Sequence, residues 1–147
     1  MTTTSTPKTN LQERLVGDVM RDGIVGCTPE TPLTEVARLM GEYRIHCVVV
    51  AGLEEDRNGM RLVWGVVSDL DLARAVAAGE ALTAGQIAAT EPVTASPTDT
   101  LSDVARVMGE HDVAHLVVVE GKDAEPIGVI STLDVARAFA ELSLIHI

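Results

Sequence analysis

The stretch Pro29–Glu42, PETPLTEVARLMGE, returns later in the chain as Pro97–Glu110, PTDTLSDVARVMGE. Eight of the 14 positions are identical. Unrelated sequences of ordinary composition would share about one. A second block repeats as well: Gly65–Ala75, GVVSDLDLARA, stands over Gly128–Ala138, GVISTLDVARA, with eight of 11 positions identical. The offsets are 68 and 63, so the first copy carries five extra residues between the blocks. They fall in Gly52–Met60, GLEEDRNGM, a charged, glycine-flanked stretch that reads as a lengthened turn. The chain is a tandem duplication whose copies meet near Gly79–Ala81.

Each copy reads as the same series of elements. A short helix opens it, Leu11–Met20 and again Leu82–Ala88. A short strand follows, Ile24–Cys27 and Pro92–Ala95. Next comes an amphipathic helix over Pro32–Tyr43, with Leu33, Val36, Ala37 and Met40 at helical spacing. Thr31 is expected at its N-cap with Pro32 in the first helical position, and Asp99 takes the cap in the second copy. Two β-rich runs follow, His46–Ala51 with Arg61–Val67, and His115–Glu120 with Pro126–Ile130. Helices Asp69–Ala78 and Thr132–Leu142 close the copies. The fold class is α/β (α+β), two β-α-β-β-α repeats related by pseudo-two-fold symmetry. At about 60 residues neither copy buries much alone, so each is expected to cover the other's sheet.

Composition narrows the function. The 147 residues suffice for one domain-sized core, and 46% are apolar. Acidic residues outnumber basic ones 22 to 11, giving a net charge of −11. Such a surface repels phosphate backbones and anionic lipid, so no nucleic-acid and no membrane partner is expected. Aromatics, at 2%, are too few to stack bases. No run approaches the roughly 18 apolar residues of a membrane span. Two cysteines suit a reducing, cytoplasmic setting. Met1–Asn10 is polar and Thr-rich and reads as a disordered tail. Residues 143–147 read as an apolar C-terminal tail or the end of a helix.

The best candidate for chemistry is Gly65-Val66-Val67-Ser68-Asp69-Leu70-Asp71, echoed by Gly128-Val129-Ile130-Ser131-Thr132-Leu133-Asp134. A strand ends, a serine follows and a helix starts. Free N–H groups there attract anions. A serine hydroxyl can donate to phosphate, an aspartate one turn in can accept from the two hydroxyls of a ribose, and the glycine permits close approach of a ligand or another backbone. The same Ser-x-x-Asp spacing also describes a capping box, in which the serine caps and the acid reaches back. Spacing alone leaves both readings open.

The order of elements, the duplication and the Gly-h-h-Ser-x-x-Asp ending resemble a tandem CBS-domain pair, a Bateman module. The resemblance spans about residues 11–142, with Val16–Met20 similar to the family's opening helix and Ile24–Pro29 to its first strand. It implies repeats over 11–80 and 81–142, and a regulatory ligand of the adenosyl class (AMP, ADP, ATP or S-adenosylmethionine) signalling to a partner through conformational change. It also implies which residues bind. One site would use Ser68 and Asp71, with Cys27, Thr28, Ile45, His46 and Cys47 around base and sugar, Gly65 permitting approach, and His115 reaching in from the second repeat. The other would use Ser131 and Asp134 with Gly128, Ala95, Ser96, Val113 and Ala114, and Arg44 and His46 as nearest cations. With both histidines assigned to it, the first site is expected to be richer in positive charge.

The chain departs from the family pattern where basic residues would precede the second strand: it has His46-Cys47 and Ala114-His115, and Asp112 stands at the Arg44 position. Neutralisation of a polyphosphate is thin, which favours AMP or a less charged adenosyl ligand over ATP. No nucleophile–base pair and no Walker-type loop is present, so no enzyme activity and no required cofactor are expected. The histidines lack companions at zinc spacing, so no metal is expected. Cys27 and Cys47 could both face the ligand cleft, but read as buried free thiols rather than a redox pair. The family resemblance implies a homodimer, with an interface expected on Val36–Met40, Val104–Met108, Leu72, Val76, Val135 and Phe139. The effector protein is unknown. The alternative reading is a ligand-free interaction or scaffolding module.

Overall fold

The computed structural model describes residues 10–55, 62–80, 82–90 and 92–145. The expected tail, Asn10 apart, and residues 56–60 of the expected turn lie outside them. Element order is α1 (Val16–Val19), β1 (Arg21–Asp22), β2 (Gly26–Cys27), α2 (Leu33–Tyr43), β3 (Cys47–Glu55), β4 (Leu62–Ser68), α3 (Asp69–Ala78), α4 (Ala84–Ile87), β5 (Thr94–Ala95), α5 (Leu101–His111), β6 (His115–Glu120), β7 (Glu125–Ser131) and α6 (Thr132–Ile145). The mixed α/β repeat is as the sequence implies. Part of the expected turn is strand, because β3 continues to Glu55, where it pairs with Leu62. The end of the chain is helical to Ile145.

The chain packs as two compact units that cut across the sequence copies. A continuous unit holds Ile24–Pro92, and a split unit joins Met1–Gly23 to Val93–Ile147. The cause is an exchange of the short opening helices. In the split unit, Val16 N–H donates to the Asp99 carbonyl at 2.8 Å and Gly17 N–H to that of Pro97 at 2.9 Å. In the continuous unit, Ala84 N–H donates to Thr31 at 2.8 Å and Gly85 N–H to Pro29 at 2.9 Å. Each opening helix thus docks on the turn before the long helix of the other copy.

In the continuous unit β2 runs parallel to β3, and β3 antiparallel to β4. Strand alternation sends Val48, Val50 and Val67 to one face, where they pack with Leu33, Val36 and Met40 of α2, Ala75 of α3 and Ala84 of α4. The split unit repeats this with Leu116, Val118 and Ile130 against Leu101, Val104, Met108, Ala138 and Val16. Its sheet has a fourth strand, β1, antiparallel to β7.

Both long helices start one residue later than expected. Pro32 and Thr100 are the N-caps. Thr31 and Asp99 instead turn back: the Thr31 hydroxyl accepts from Thr28 N–H at 3.2 Å and the Asp99 carboxylate from Ser96 N–H at 2.8 Å. Each side chain is satisfied in the preceding turn, so the following residue caps. Val36, Met40, Val104 and Met108 are buried in their own cores, which removes them from the expected dimer surface. No helix among the described residues is long and apolar enough to cross a membrane.

Candidate functional site

Both strand-to-helix turns close as capping boxes. At the β4–α3 turn, Asp71 N–H donates to Ser68 Oγ at 3.1 Å and Ser68 N–H to Asp71 Oδ2 at 3.0 Å. At the β7–α6 turn, Asp134 N–H donates to Ser131 Oγ at 3.2 Å, and both the N–H and the hydroxyl of Ser131 donate to Asp134 Oδ2, at 2.8 and 3.0 Å. Capping explains the spacing. It engages only Oδ2 of each aspartate. Oδ1 takes part in none of these bonds, and both carboxylates are half-buried rather than fully enclosed. The cap fixes the carboxylate while leaving it an acceptor.

The neighbouring strand sets what stands beside each serine. Cys47 is opposite Ser68, and His115 is opposite Ser131. The preceding residue carries the helix start: Asp69 N–H donates to the His46 carbonyl at 2.8 Å and Thr132 N–H to that of Ala114 at 2.9 Å. In the continuous unit alone this backbone pairing has a side-chain counterpart. His46 Nδ1 lies 2.9 Å from Asp69 Oδ2, both groups about half exposed. The split unit has Ala114 and Thr132 there.

Several expected site residues are elsewhere. Thr28 follows β2, where Cys27 pairs with Val50, and so stands level with Ala51, four residues along β3 from the Cys47–Ser68 pair. At about 3.3 Å per residue that is about 13 Å along the strand. Its hydroxyl is bonded to that of Thr31 at 3.1 Å. Ala95 and Ser96 stand correspondingly far from Ser131, because Ala95 pairs with Val118. Ile45 and Val113 turn into their cores. Arg44 and Asp112 are exposed C-caps in the left-handed conformation, φ 53° in both. Gly65 is buried three residues before Ser68, paired with Val50. Gly128 does allow a close approach, but by the chain's own Arg21 carbonyl.

Cys27 and Cys47 do not face one cleft. Cys27 shares the core face with Val50 and Val48, while Cys47 shares the opposite face with Ser68. Burial, and then the nearby Asp69 charge, push the Cys47 thiol up to about 11. Burial also raises the Cys27 thiol, opposed by its hydrogen bond with Thr31. Both stay protonated at neutral pH and are poor nucleophiles.

A further residue, Ile24, stands just before β2. Val49 N–H donates to the Val25 carbonyl at 2.9 Å, which sets the start of β2, not its end, toward Cys47 and Ser68. Ile24 is 41% exposed there. Nothing in the local pattern gives the register of a two-residue parallel strand. In the split unit an open groove of about 470 Å³ runs between α5 and α6, from Met108 and Gly109 to Ala114, Thr132 and Val135.

Comparison with known proteins bears on these turns. The CBS domain family model matches residues 16–78 and 84–141. A curated, uncharacterized protein of Methanopyrus kandleri is 42% identical over 50 residues, which are 34% of this chain and 25% of that protein. Among solved structures, the CBS domain pair of protein MJ0100, in complex with 5′-methylthioadenosine and S-adenosyl-L-methionine, superimposes with TM-score 0.73 at 22% identity, covering 86% of this chain and 96% of that one. CBSX2 in complex with AMP gives 0.65 at 26% identity, covering 88% and 98%.

Proposed function

Because this chain belongs to the CBS domain family, we propose that it is a regulatory module binding an adenosyl ligand and passing the bound state to a partner protein. The observation that carries this reading is the repeated half-committed aspartate: Asp71 and Asp134 are each held through Oδ2 by a serine cap, with Oδ1 outside the cap bonds. A rigid carboxylate suits a ribose diol, and the adjacent helix N-terminus and serine suit a group at the 5′ position. The adenosyl ligands of MJ0100 and CBSX2 support the class. Ser68, Asp71, His46 and Cys47 serve one turn, and Ser131 and Asp134 the other. A ligand can signal only by binding two arrangements of the protein unequally. The module performs no chemistry of its own in this reading.

A thermal-shift panel of AMP, ADP, ATP, S-adenosylmethionine and 5′-methylthioadenosine, with GMP as control, tests the reading. A ligand at a hundred times its Kd adds about 2.7 kcal/mol to the native state. The expected rise in Tm is roughly 5 °C or more for a chain of this size. No rise with any adenosyl compound would leave the turns as caps in a scaffolding module.

The same reading includes self-association. Leu70 and Val76 on α3 are 55% and 70% exposed, and Leu133 and Phe139 on α6 are 50% and 64% exposed. The pair on each helix, rather than the buried Val36–Met40 and Val104–Met108 stripes, is the apolar surface of its own unit that a second copy would cover. Light scattering at tens of micromolar should give twice the 15.5 kDa chain mass. Phe139→Glu with Val76→Glu should return it to the monomer mass. A wild-type monomer would refute the dimer.

A further inference from the structure

Each strand that ends in a cap serine is also bonded to the segment by which the chain crosses from one unit to the other. β4 ends at Ser68. Val66 N–H donates to the Ala89 carbonyl at 3.0 Å and Ala89 N–H to that of Val66 at 2.9 Å, and the chain enters the split unit at Val93. β7 ends at Ser131. It is bonded to β1, with Arg21 opposite Val129 and Asp22 opposite Gly128, and Gly23 N–H donates to the Ile127 carbonyl at 2.9 Å. The next residue, Ile24, opens the continuous unit. Its place is fixed at once: the Val25 carbonyl accepts from Val49 N–H at 2.9 Å, which sets Ile24 toward Cys47 and Ser68. The Cα atoms of Gly23 and Val25 can be at most about 7 Å apart, so this crossing has no slack. β1 is otherwise lightly held. It has two residues, both exposed, and Gly23 and Ile24 are exposed as well. Short exposed edges of this kind open locally well before a domain unfolds, so β1 has two states, seated on β7 or lifted from it.

Resting on the adenosyl reading above, we propose that β1 couples the two turns, so that a ligand at the β4–α3 turn favours binding at the β7–α6 turn. A ligand at Ser68 and Asp71 orders Ile24 and Val25. Ordering them holds Gly23 at the edge of β7 and seats β1. Seated β1 steadies β7 at Val129, two residues before Ser131. The second ligand then meets a turn whose ordering is already done, which is positive coupling without any contact between ligands. Coupling of affinities is reciprocal, so a ligand at the β7–α6 turn tightens the other turn by the same factor. The module then responds over a narrower range of ligand concentration than two independent sites would.

Amide hydrogen exchange on the full chain tests the coupling, with 5′-methylthioadenosine and AMP as probes. Asp134→Asn confines binding to the β4–α3 turn. Filling that turn should slow exchange of the Gly23 amide about tenfold or more, although its bond is to Ile127 in the split unit. Inserting Gly-Ser-Gly between Gly23 and Ile24 gives the crossing slack. The inserted Asp134→Asn chain should still bind the probe, with Gly23 exchanging within about twofold of its ligand-free rate. Titration calorimetry gives the same quantity as affinity. The product of the two wild-type association constants should exceed that of the Asp71→Asn and Asp134→Asn chains by about fivefold or more, and the insertion should bring the ratio to about one. No change at Gly23 with the probe bound to Asp134→Asn overturns the coupling and leaves the adenosyl reading standing. That comparison needs no insertion, so it decides even if the inserted chain folds poorly. Protection that survives the insertion would put the transmission outside β1 and overturn the proposal too. If neither probe binds wild type, or Asp134→Asn still binds two per chain, the reading of the turns falls and the coupling with it.

Discussion

Gly128→Val is expected to destabilise the protein by about 3 kcal/mol, at the upper end of ordinary overpacking penalties. Gly128 lies in β7, paired on one side with Val118 and on the other with Asp22 of β1. A Cβ placed there would run into the Arg21 carbonyl oxygen and stand 3.4 Å from the Met20 sulfur. The obstacle is backbone, which cannot rotate away as a flexible side chain would. Relief requires β1 to leave the sheet, and with it the Gly23 N–H bond to the Ile127 carbonyl at 2.9 Å. Thermal unfolding should show a fall in Tm of roughly 6 °C or more. Gly41→Ala is the control: it lies in α2, where a Cβ meets nothing within 4 Å. That change should be neutral or stabilise by up to about 1 kcal/mol. A Gly128→Val protein melting within a degree of wild type would refute the pairing of β1 with β7 at Gly128.

The periodic elements were legible because their patterns are local. Leu33, Val36 and Met40 recur at helical spacing and are buried. Asp69–Ala78 is helical over the range the sequence implies, with Gly79 as a left-handed C-cap. The exchange of α1 and α4 was not legible. Each of these short helices can dock on a Pro-initiated turn, and Pro29 and Pro97 head blocks identical at eight of 14 positions. Gly17 bonds to Pro97 and Gly85 to Pro29, partners far apart in the chain that no local pattern specifies. The N-caps slipped by one residue for a related reason. Thr31 and Asp99 are good caps by type, but each has a nearer donor in the turn behind it.

The candidate site divides along the same line. Ser68 with Asp71, and Ser131 with Asp134, each span one helical turn, so spacing set the geometry of each pair, and the capping bonds follow directly. Thr28, Ala95 and Ser96 depended on the register of a two-residue parallel strand, which sequence does not encode locally. Their displacement by half a sheet is the consequence. The two cysteines, both free thiols as the sequence implies, part from one another for a simpler reason. A difference of one residue in register reverses the face to which a strand side chain points. Cys27 took the core face and Cys47 the other.

Asp134→Asn, alone and with Asp71→Asn, separates cap from ligand. Asparagine keeps a carbonyl oxygen that can accept from the Ser131 N–H in place of Oδ2, now 2.8 Å away. Asparagine is also a competent residue near a helix start, so the stability cost should stay at or below about 1 kcal/mol per site. What it loses is the negative charge that strengthens hydrogen bonds from two ribose hydroxyls. Bonds to a charged acceptor contribute about 1.5–3 kcal/mol each, and neutral ones about 0.5–1.5. The difference over two hydroxyls is about 2–3 kcal/mol, so adenosyl affinity at that turn should fall roughly 30- to 150-fold. The double variant should lose binding at both turns while melting within a few degrees of wild type. The measurement is calorimetric titration with 5′-methylthioadenosine and AMP beside a melting curve for each protein. A double variant that loses several kilocalories of stability yet binds both nucleosides as wild type does would mean that Asp71 and Asp134 are caps alone, and that any ligand is held by other groups.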